Sequence, residues 1–314
     1  MTRTLLAGLC AVLVAAPALA QGTKVGPTFA ETEMLNGDDD KDTGWKVEAK
    51  AGLLWLAGNS DSTSLSAGLT VTRDALWQRY SLAANYAFAK ARAYASPPTP
   101  VQIRNIDELR GEATLSARLW NVTPRFDQWI VHRKEAGDLS LYLLGNIASD
   151  YAAGKKLFGG GQVGVSTLGL KSGPHRLITE LGYDYTYLQP YVGDGYSIHS
   201  LRIAATYLLD LSKATKFSAG VEYLVNLNKE VGAPDPVDPT GVPAFEDHRV
   251  NALVTLTTQV YNRLSLNLTW TGKYDAKPNF VNLPANVSPV PPAEGVFLRK
   301  FDSVTQVQFV YTFG

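Results

Sequence analysis

The sequence contains one cysteine, two methionines and little charge for its length of 314 residues. A single cysteine excludes an internal disulfide bond and any metal cluster built on several thiolates. The 29 Lys and Arg residues balance the 29 Asp and Glu residues, so no positive surplus points to nucleic acid as a partner. Only one long apolar run is present, which excludes a membrane protein with several spanning helices. Charged residues make up 18% of the chain, against roughly 25% in soluble domains.

The first twenty residues have the composition of a bacterial export signal. Arg3 precedes an apolar run over residues 5–14, and a small-residue cleavage site of the A-x-A type ends at Ala20. We therefore expect residues 1–20 to be a signal peptide. Its removal would also remove Cys10, so the mature chain would contain no cysteine.

Residues 21–44 predict a flexible, acidic periplasmic linker. The run at residues 38–42 is Asp-Asp-Asp-Lys-Asp, which is polar and lacks apolar periodicity, as is typical of disordered segments. Its spacing does not match the alternating ligands of an EF-hand calcium loop. We expect this segment to bind no metal.

The remainder of the chain alternates apolar and polar residues with the period of two that is typical of β-strands. In the first run Trp45, Val47 and Ala49 share one face, and Lys46 and Glu48 take the other. The alternation predicts about twelve strands, near residues 45–55, 64–72, 80–88, 108–119, 139–152, 157–170, 176–188, 196–209, 215–228, 248–260, 263–275 and 300–313.

The connections between these strands alternate in length. Three long, Pro-rich connections fall on one end of the predicted sheet, at residues 94–104, 230–246 and 279–299. Four short turns fall on the other end, at residues 74–78, 171–175, 210–214 and 260–263. Long outer loops and short periplasmic turns are typical of bacterial outer-membrane barrels. The exception is the basic stretch at 121–138, a long connection on the end with short turns. Either it holds an extra small element or the assignment of connections to the two ends is off in this region. We expect its basic residues to be solvated.

The pattern predicts an all-β fold, an antiparallel up-and-down transmembrane β-barrel over residues 45–314. A secreted soluble β-sandwich with a binding role is the alternative, because its strands also alternate apolar and polar residues. The barrel is favoured by strands longer than the five or six residues usual in soluble sheets. Aromatic residues near strand ends, among them Trp45, Tyr80 and Tyr261, also favour it.

Two segments resemble a known family. Residues 57–65 read Ala-Gly-Asn-Ser-Asp-Ser-Thr-Ser-Leu, a strand that ends in a tight turn and restarts in small hydroxylated residues. Residues 151–188 contain the run Lys-Leu-Phe-Gly-Gly-Gly-Gln-Val-Gly, followed by Leu-Ile-Thr-Glu-Leu-Gly-Tyr. Both segments resemble the domain-of-unknown-function 481 family, the YdiY-like proteins described as salt-induced outer-membrane proteins. The resemblance implies an outer-membrane barrel and brings no catalytic residues.

The polar face of the predicted strands would line the lumen of the barrel and carries charges of both signs. These charges either line a narrow channel for small polar solutes or ions, or pair across the lumen and close it, which leaves a structural role in the envelope. The predicted lumen-lining charges are Lys46, Glu48, Lys50, Glu108, Arg110, Glu112, Arg118, Glu180, Asp184, Arg202, Glu222, Arg249 and Lys273.

An enzymatic role has little support in the sequence. A lipid-hydrolysing barrel is a weaker alternative, because Ser197 and His199 lie two residues apart on an apolar strand face near the outer rim. We interpret this pair as residues that meet lipid headgroups. We expect no catalytic, cofactor or metal site. The expected partners are outer-membrane lipid, lipopolysaccharide and the secretion and barrel-assembly machinery, with no nucleic acid, and we expect a monomer in the outer membrane.

Overall fold

The computed structural model describes eleven stretches of the chain between Gly44 and Phe313. They are residues 44–57, 62–75, 77–94, 101–103, 110–133, 137–150, 155–190, 194–231, 240–277, 287–289 and 300–313. The predicted signal peptide, almost all of the predicted linker and the turn at 58–61 lie outside them. The described part of the chain contains no helix that is long and apolar enough to cross a membrane.

Twelve of the strands form one closed antiparallel barrel in which sequence neighbours pair. The barrel strands are β1 (Gly44–Ala57), β2 (Ser62–Ala75), β3 (Gln78–Tyr94), β5 (Arg110–Arg133), β6 (Gly137–Asp150), β7 (Lys155–Ser172), β8 (His175–Pro190), β9 (Tyr196–Asp210), β10 (Thr215–Asn226), β11 (His248–Tyr261), β12 (Leu264–Asp275) and β14 (Phe301–Phe313). Two short strands, β4 (Val101–Ile103) and β13 (Val287–Pro289), form a separate parallel pair.

The barrel closes where its first and last strands pair, from Val47 opposite Phe313 to Ala57 opposite Ser303. A β-sandwich would instead have two sheets packed face to face. The twelve-stranded, up-and-down barrel predicted from the alternation is therefore confirmed, and the sandwich alternative is wrong. The sequence pattern did not reveal the small β4–β13 pair.

The two ends of the barrel differ in their connections. β1 begins and β14 ends at the same end, which we call the short-turn end. There β7 and β8 are joined by two residues, with Gly173 at a φ of 55°, and β11 and β12 by two residues, with Asn262 at a φ of 28°. Both positions need the left-handed region that Gly and Asn accept readily. We call the opposite end, where the longer connections lie, the long-loop end.

The long connection expected at 121–138 is wrong, because β5 continues to Arg133. Pro124 is the reason the stretch looks like a loop, since proline cannot donate a ladder hydrogen bond. Directly opposite it β6 carries Gly145, and a Cβ there would lie 3.3 Å from the Pro124 ring. The missing side chain of Gly145 leaves room for the proline ring within the sheet.

Side chains alternate between the two faces of the closed sheet. In β8 the even-numbered residues from Arg176 to Leu188 point into the lumen, whereas Leu181 and Tyr183 are exposed on the outside. Large apolar residues are likewise exposed on the outer face of the other strands. They include Leu65, Leu69, Leu82, Leu143, Ile147, Val163, Ile203, Val221, Leu256, Leu268 and Phe309. An outward apolar surface around a polar interior is the arrangement of a membrane barrel.

Candidate functional site

Arg202 stands opposite Gly182, near the middle of β8, faces the lumen and is fully buried. Its guanidinium group donates to Glu180 at 2.7 Å and to Glu222 on the next strand. A third hydrogen bond reaches the hydroxyl of Tyr142 at 3.0 Å. Arg202 on β9 therefore links β6, β8 and β10 through its side chain.

Arg125 on β5 extends these contacts. It forms hydrogen bonds to Asp127 on its own strand, the shortest at 2.7 Å, and to Glu180 at 2.7 Å. Glu180 thus accepts from two arginines, one on each side. We call the six connected residues the central network: Arg125, Asp127, Tyr142, Glu180, Arg202 and Glu222.

Tyr142 is held in the network by two glycines and two arginines. A Cβ at Gly182 would lie 2.3 Å from the Tyr142 hydroxyl, and one at Gly164 would lie 2.8 Å from its ring. The guanidinium of Arg125 lies 4.6 Å from the ring centroid, within the range of a cation–π contact. The ring fills the space that the two glycines leave open in the lumen wall.

The central network contains two arginines and three carboxylates, all buried. Removing charges from water costs several kcal/mol per ion, so a buried group needs good geometry and further hydrogen bonds. Asn251 on β11 supplies one of these by donating to Glu222 at 2.7 Å. The network and its donor Asn251 therefore span from β5 to β11 and fill one side of the lumen with paired charge.

A second polar group lies nearer the long-loop end. Asp184 accepts from Gln162 at 3.0 Å and from Thr186 at 3.1 Å. Arg249 donates to Ser200 at 2.6 Å and forms an ion pair of 3.1 Å with Asp247.

The described parts of the connection between β10 and β11, at residues 227–231 and 240–247, fold over the long-loop end. Asn226, which is fully buried, donates to the carbonyl of Pro243 at 2.8 Å and accepts from the backbone N–H of Asp247 at 3.0 Å. We call residues 227–231 and 240–247 the loop cap. Its Val242 packs in an apolar cluster with Phe158 and Ile198. At the short-turn end a smaller apolar cluster is formed by Leu168, Ile178 and Leu208.

The opposite side of the lumen is more open. Near the short-turn end Glu48 forms ion pairs with Lys46 at 3.0 Å and with Lys50 at 3.9 Å, and all three side chains are partly exposed. Uncharged polar groups continue along this side. Gln306 donates to Ser66 at 2.9 Å, for example, and Thr269 on β12 bonds to Thr255 on the adjacent β11 at 3.3 Å. We call this side, formed by β1, β2, β12 and β14, the polar wall.

The family model described as "Protein of unknown function, DUF481" matches residues 49–233, more than half of the chain. The chain belongs to the DUF481 family. The matched region contains the whole central network, and Arg249 and Asn251 lie beyond it. No curated protein matches the chain.

Several solved structures are similar in fold. The NanC porin has 9% sequence identity and a TM-score of 0.47, covering 84% of this chain and 98% of its own. The translocator domain of the autotransporter NalP from Neisseria meningitidis has 10% identity and a TM-score of 0.44, covering 87% and 89%. The outer-membrane protein OmpT of Vibrio cholerae has 8% identity and a TM-score of 0.39, covering 90% and 100%.

The predicted lumen charges of this DUF481 member fall into three groups. Glu180, Asp184, Arg202, Glu222 and Arg249 are buried within the barrel. The second group is the ion-paired set Lys46, Glu48 and Lys50 on the polar wall, and Lys273 stands opposite Asn251 in the ladder. The third group is not described: Glu108 lies outside the described residues, as do the side chains of Arg110, Glu112 and Arg118.

Three members of the central network were missed by sequence reasoning: Arg125, Asp127 and Tyr142. The signal for the first two was present. From Trp120 to Asp127 the odd positions are polar and the even positions are apolar, once Pro124 is accepted as a strand residue. Tyr142 had no such signal, because both faces of β6 carry large apolar residues.

Proposed function

We propose that this chain is a bacterial outer-membrane β-barrel with a structural role in the envelope, and that its central network closes much of the lumen. The main support for the proposal is the burial of Arg202. Its side chain is fully buried in the lumen and forms hydrogen bonds to Glu180, Glu222 and Tyr142. An arginine that lined a wide aqueous pore would keep contact with water. The network and the apolar clusters near both ends fill the lumen where an open pore would need space.

The proposed location is supported by the closed barrel and its apolar outer surface. A barrel without free strand edges is the only β-structure that spans a membrane, because every backbone polar group must be paired within the protein. The predicted export signal at 1–20 supports delivery to the envelope. In this proposal the barrel is a monomer that reaches the membrane through the secretion and barrel-assembly machinery and is surrounded by lipid and lipopolysaccharide.

A narrow passage for small polar solutes or ions is the second candidate function. Its support is the polar wall, where Lys46, Lys50 and Gln306 are less buried than the central network. A passage on that side would be lined by hydroxyl and amide groups and by the ion-paired lysines near its short-turn end. Such a lining favours small hydrated solutes of low net charge.

We propose no catalytic role for Ser197 and His199. Ser197 bonds to the hydroxyl of Tyr185 at 3.2 Å, and Nδ1 of His199 contacts the hydroxyl of Tyr183. Each polar group therefore has its own tyrosine partner, whereas a nucleophile and its base would contact one another. Assay of the folded protein with phospholipid vesicles tests this directly: hydrolysis that is lost in Ser197→Ala would contradict it.

Membrane location is tested by cell fractionation and by migration on SDS gels. Folded outer-membrane barrels resist SDS, so we expect the unheated protein to migrate differently from the boiled protein and to fractionate with the outer membrane. Recovery as a soluble periplasmic protein with identical migration in both states would refute the location.

Planar bilayer conductance then separates the structural role from the passage. For the wild type we expect no wide, long-lived steps. Arg202→Ala should introduce steps, because it removes the side chain that ties four strands across the lumen. Lys50→Ala on the polar wall is the matched control and should not open the lumen. Gln308 on the polar wall donates to Ser66 at 3.5 Å. Small steps in the wild type that Gln308→Trp abolishes would favour the passage, and wide steps in the wild type would refute the closed lumen.

A further inference from the structure

Three histidines, those with described side chains, lie on the outer face of the barrel, and each contacts a tyrosine hydroxyl through Nδ1. Two of the three contacts measure 2.6 Å. The pairs are His175 with Tyr207, His199 with Tyr183, and His248 with Tyr223. The closed-lumen proposal makes no use of these outward polar groups.

The three pairs share one geometry. The residues directly opposite the histidines in the ladder are Leu209, Tyr185 and Val225. The partner tyrosines stand two positions before these residues on the same strands. In each pair the tyrosine is therefore further from the nearer end of the barrel than the residue opposite the histidine. The tyrosine ring therefore lies deeper on the outer face, and its hydroxyl points towards the rim, where the histidine sits.

The pairs also occur at two heights. His175 lies at the short-turn end. Tyr185, the residue opposite His199, lies ten residues further along β8. Ten residues span about 33 Å along a strand. For a tilt of about 40° the two heights are then about 25 Å apart along the barrel axis, the height of the apolar band in membrane barrels. Between them Leu181 and Ile203 are exposed on the outside.

The pair at His199 has additional polar neighbours. Its ring lies 5.1 Å from the ring of Tyr185, whose hydroxyl bonds to Ser197. In the tautomer in which Nδ1 of His199 accepts from the Tyr183 hydroxyl, Nε2 carries the hydrogen and is a donor to its surroundings. We call Tyr183, Tyr185, Ser197 and His199 the rim cluster.

We propose that the rim cluster binds the phosphoryl group of a membrane lipid headgroup at the long-loop end. His199 Nε2 and one hydroxyl of the Ser197–Tyr185 pair are the donors, because the other hydroxyl uses its hydrogen within the pair. Tyr183 positions the imidazole. Phosphoryl oxygens are the strongest acceptors at the edge of the apolar band, where the cluster lies. The inference rests on the proposed membrane location, which fractionation tests separately.

Native mass spectrometry of the folded, detergent-released full chain tests the site with three probes. The probes are phosphatidylglycerol, diacylglycerol with the same acyl chains, and inorganic phosphate. We expect phosphatidylglycerol to be retained about tenfold more than diacylglycerol, the effect of one hydrogen bond to a charged acceptor. The double variant Ser197→Ala/His199→Phe should lose this preference. Phenylalanine keeps an aromatic ring against Tyr185, and SDS-gel migration confirms that the variant is folded.

Two further variants sharpen the test. Thr179→Ala removes an outward hydroxyl from between the two heights and should leave the preference unchanged. Tyr183→Phe should lower the preference while leaving the donors in place, as expected for a positioning residue. Equal retention of the two lipids by the wild type, or an unchanged preference in both Ser197→Ala and the double variant, would overturn the proposal. Inorganic phosphate that displaces the lipid completely would show a free-anion site and overturn it as well.

Discussion

Replacing Arg202 by methionine is the sharpest perturbation of the central network. Methionine keeps the length of the apolar stem and removes the charge and the donors. Three side-chain contacts are lost at once, to Glu180, Glu222 and Tyr142. Because the site is buried, the two carboxylates lose a partner where water has little access to replace it.

The magnitude follows from what each carboxylate retains. Removing one partner of a buried ion pair typically costs about 3–5 kcal/mol, because the remaining charge is left without compensation. Glu180 still accepts from Arg125, and Glu222 still accepts from Asn251. We therefore expect the lower end of the range, a loss of about 3 kcal/mol in the free energy of unfolding.

Equilibrium unfolding by urea in lipid vesicles measures this loss. The matched control is Lys50→Ala, whose ion pair with Glu48 is 3.9 Å long and partly exposed. That variant should lose less than about 1 kcal/mol, as exposed pairs do. The double variant Arg202→Met/Glu222→Gln should be more stable than Arg202→Met alone, because Glu222 no longer keeps an uncompensated charge. The expected coupling is about 1 kcal/mol.

Two outcomes would refute the reasoning. If Arg202→Met costs no more than Lys50→Ala, water must reach the centre of the lumen and screen the charges there. The second outcome concerns the double variant Arg202→Met/Glu222→Gln. If the loss of charge at Glu222 lowers its stability further, as an independent substitution would, then Arg202 and Glu222 act independently and the network is not a coupled unit.

Three further predictions concern Gly160 and Tyr142 of the lumen wall and Gly241 of the loop cap. Gly160→Ala should destabilise the barrel by about 3 kcal/mol, because its Cβ would lie 1.8 Å from the backbone oxygen of Tyr185. The control is Gly161→Ala, whose Cβ would lie 3.4 Å from the backbone oxygen of Leu144. It should be neutral in the same urea titration. Tyr142→Phe should cost about 1.5 kcal/mol through the lost acceptor for Arg202, whereas Tyr142→Ala should cost about 3–5 kcal/mol because it also leaves a cavity; equal costs would show that the ring is not packed. Gly241→Ala should loosen the loop cap and speed its cleavage by protease, since Gly241 has a φ of 120° and a Cβ would lie 2.1 Å from the carbonyl oxygen of Glu230; unchanged cleavage would contradict this role.

Much of the fold could be predicted because a barrel repeats one local rule. Each strand of an up-and-down barrel pairs with its sequence neighbours, so the period of two and the loop lengths together determine the topology. The rule failed over residues 121–138, which were interpreted as a connection although β5 continues to Arg133. Within this stretch Gly145 on the neighbouring strand leaves room for the Pro124 ring, and a contact between strands cannot be read from the pattern of either one.

The candidate site was less predictable, because the alternation assigns residues to a face and says nothing of which residues meet. Glu180, Arg202 and Glu222 were assigned to the lumen as separate charges. Their connection depends on the lengths of side chains that reach past neighbouring strands. The rule of polar residues inside also fails near the barrel ends, where Ile198 and Leu208 face the lumen and are fully buried.

The central network differs from the ladders in the strands that it connects. A ladder restrains only adjacent strands, and a closed sheet can therefore change its cross-section while every backbone hydrogen bond is kept. Arg125 on β5 bonds to Glu180 on β8, and Arg202 on β9 bonds to Tyr142 on β6. These contacts cross the lumen between strands that are not neighbours, so they hold the cross-section narrow on that side. The few charges of this chain thus restrain the width of the lumen, and this restraint is the reason that loss of Arg202 should affect both stability and conductance.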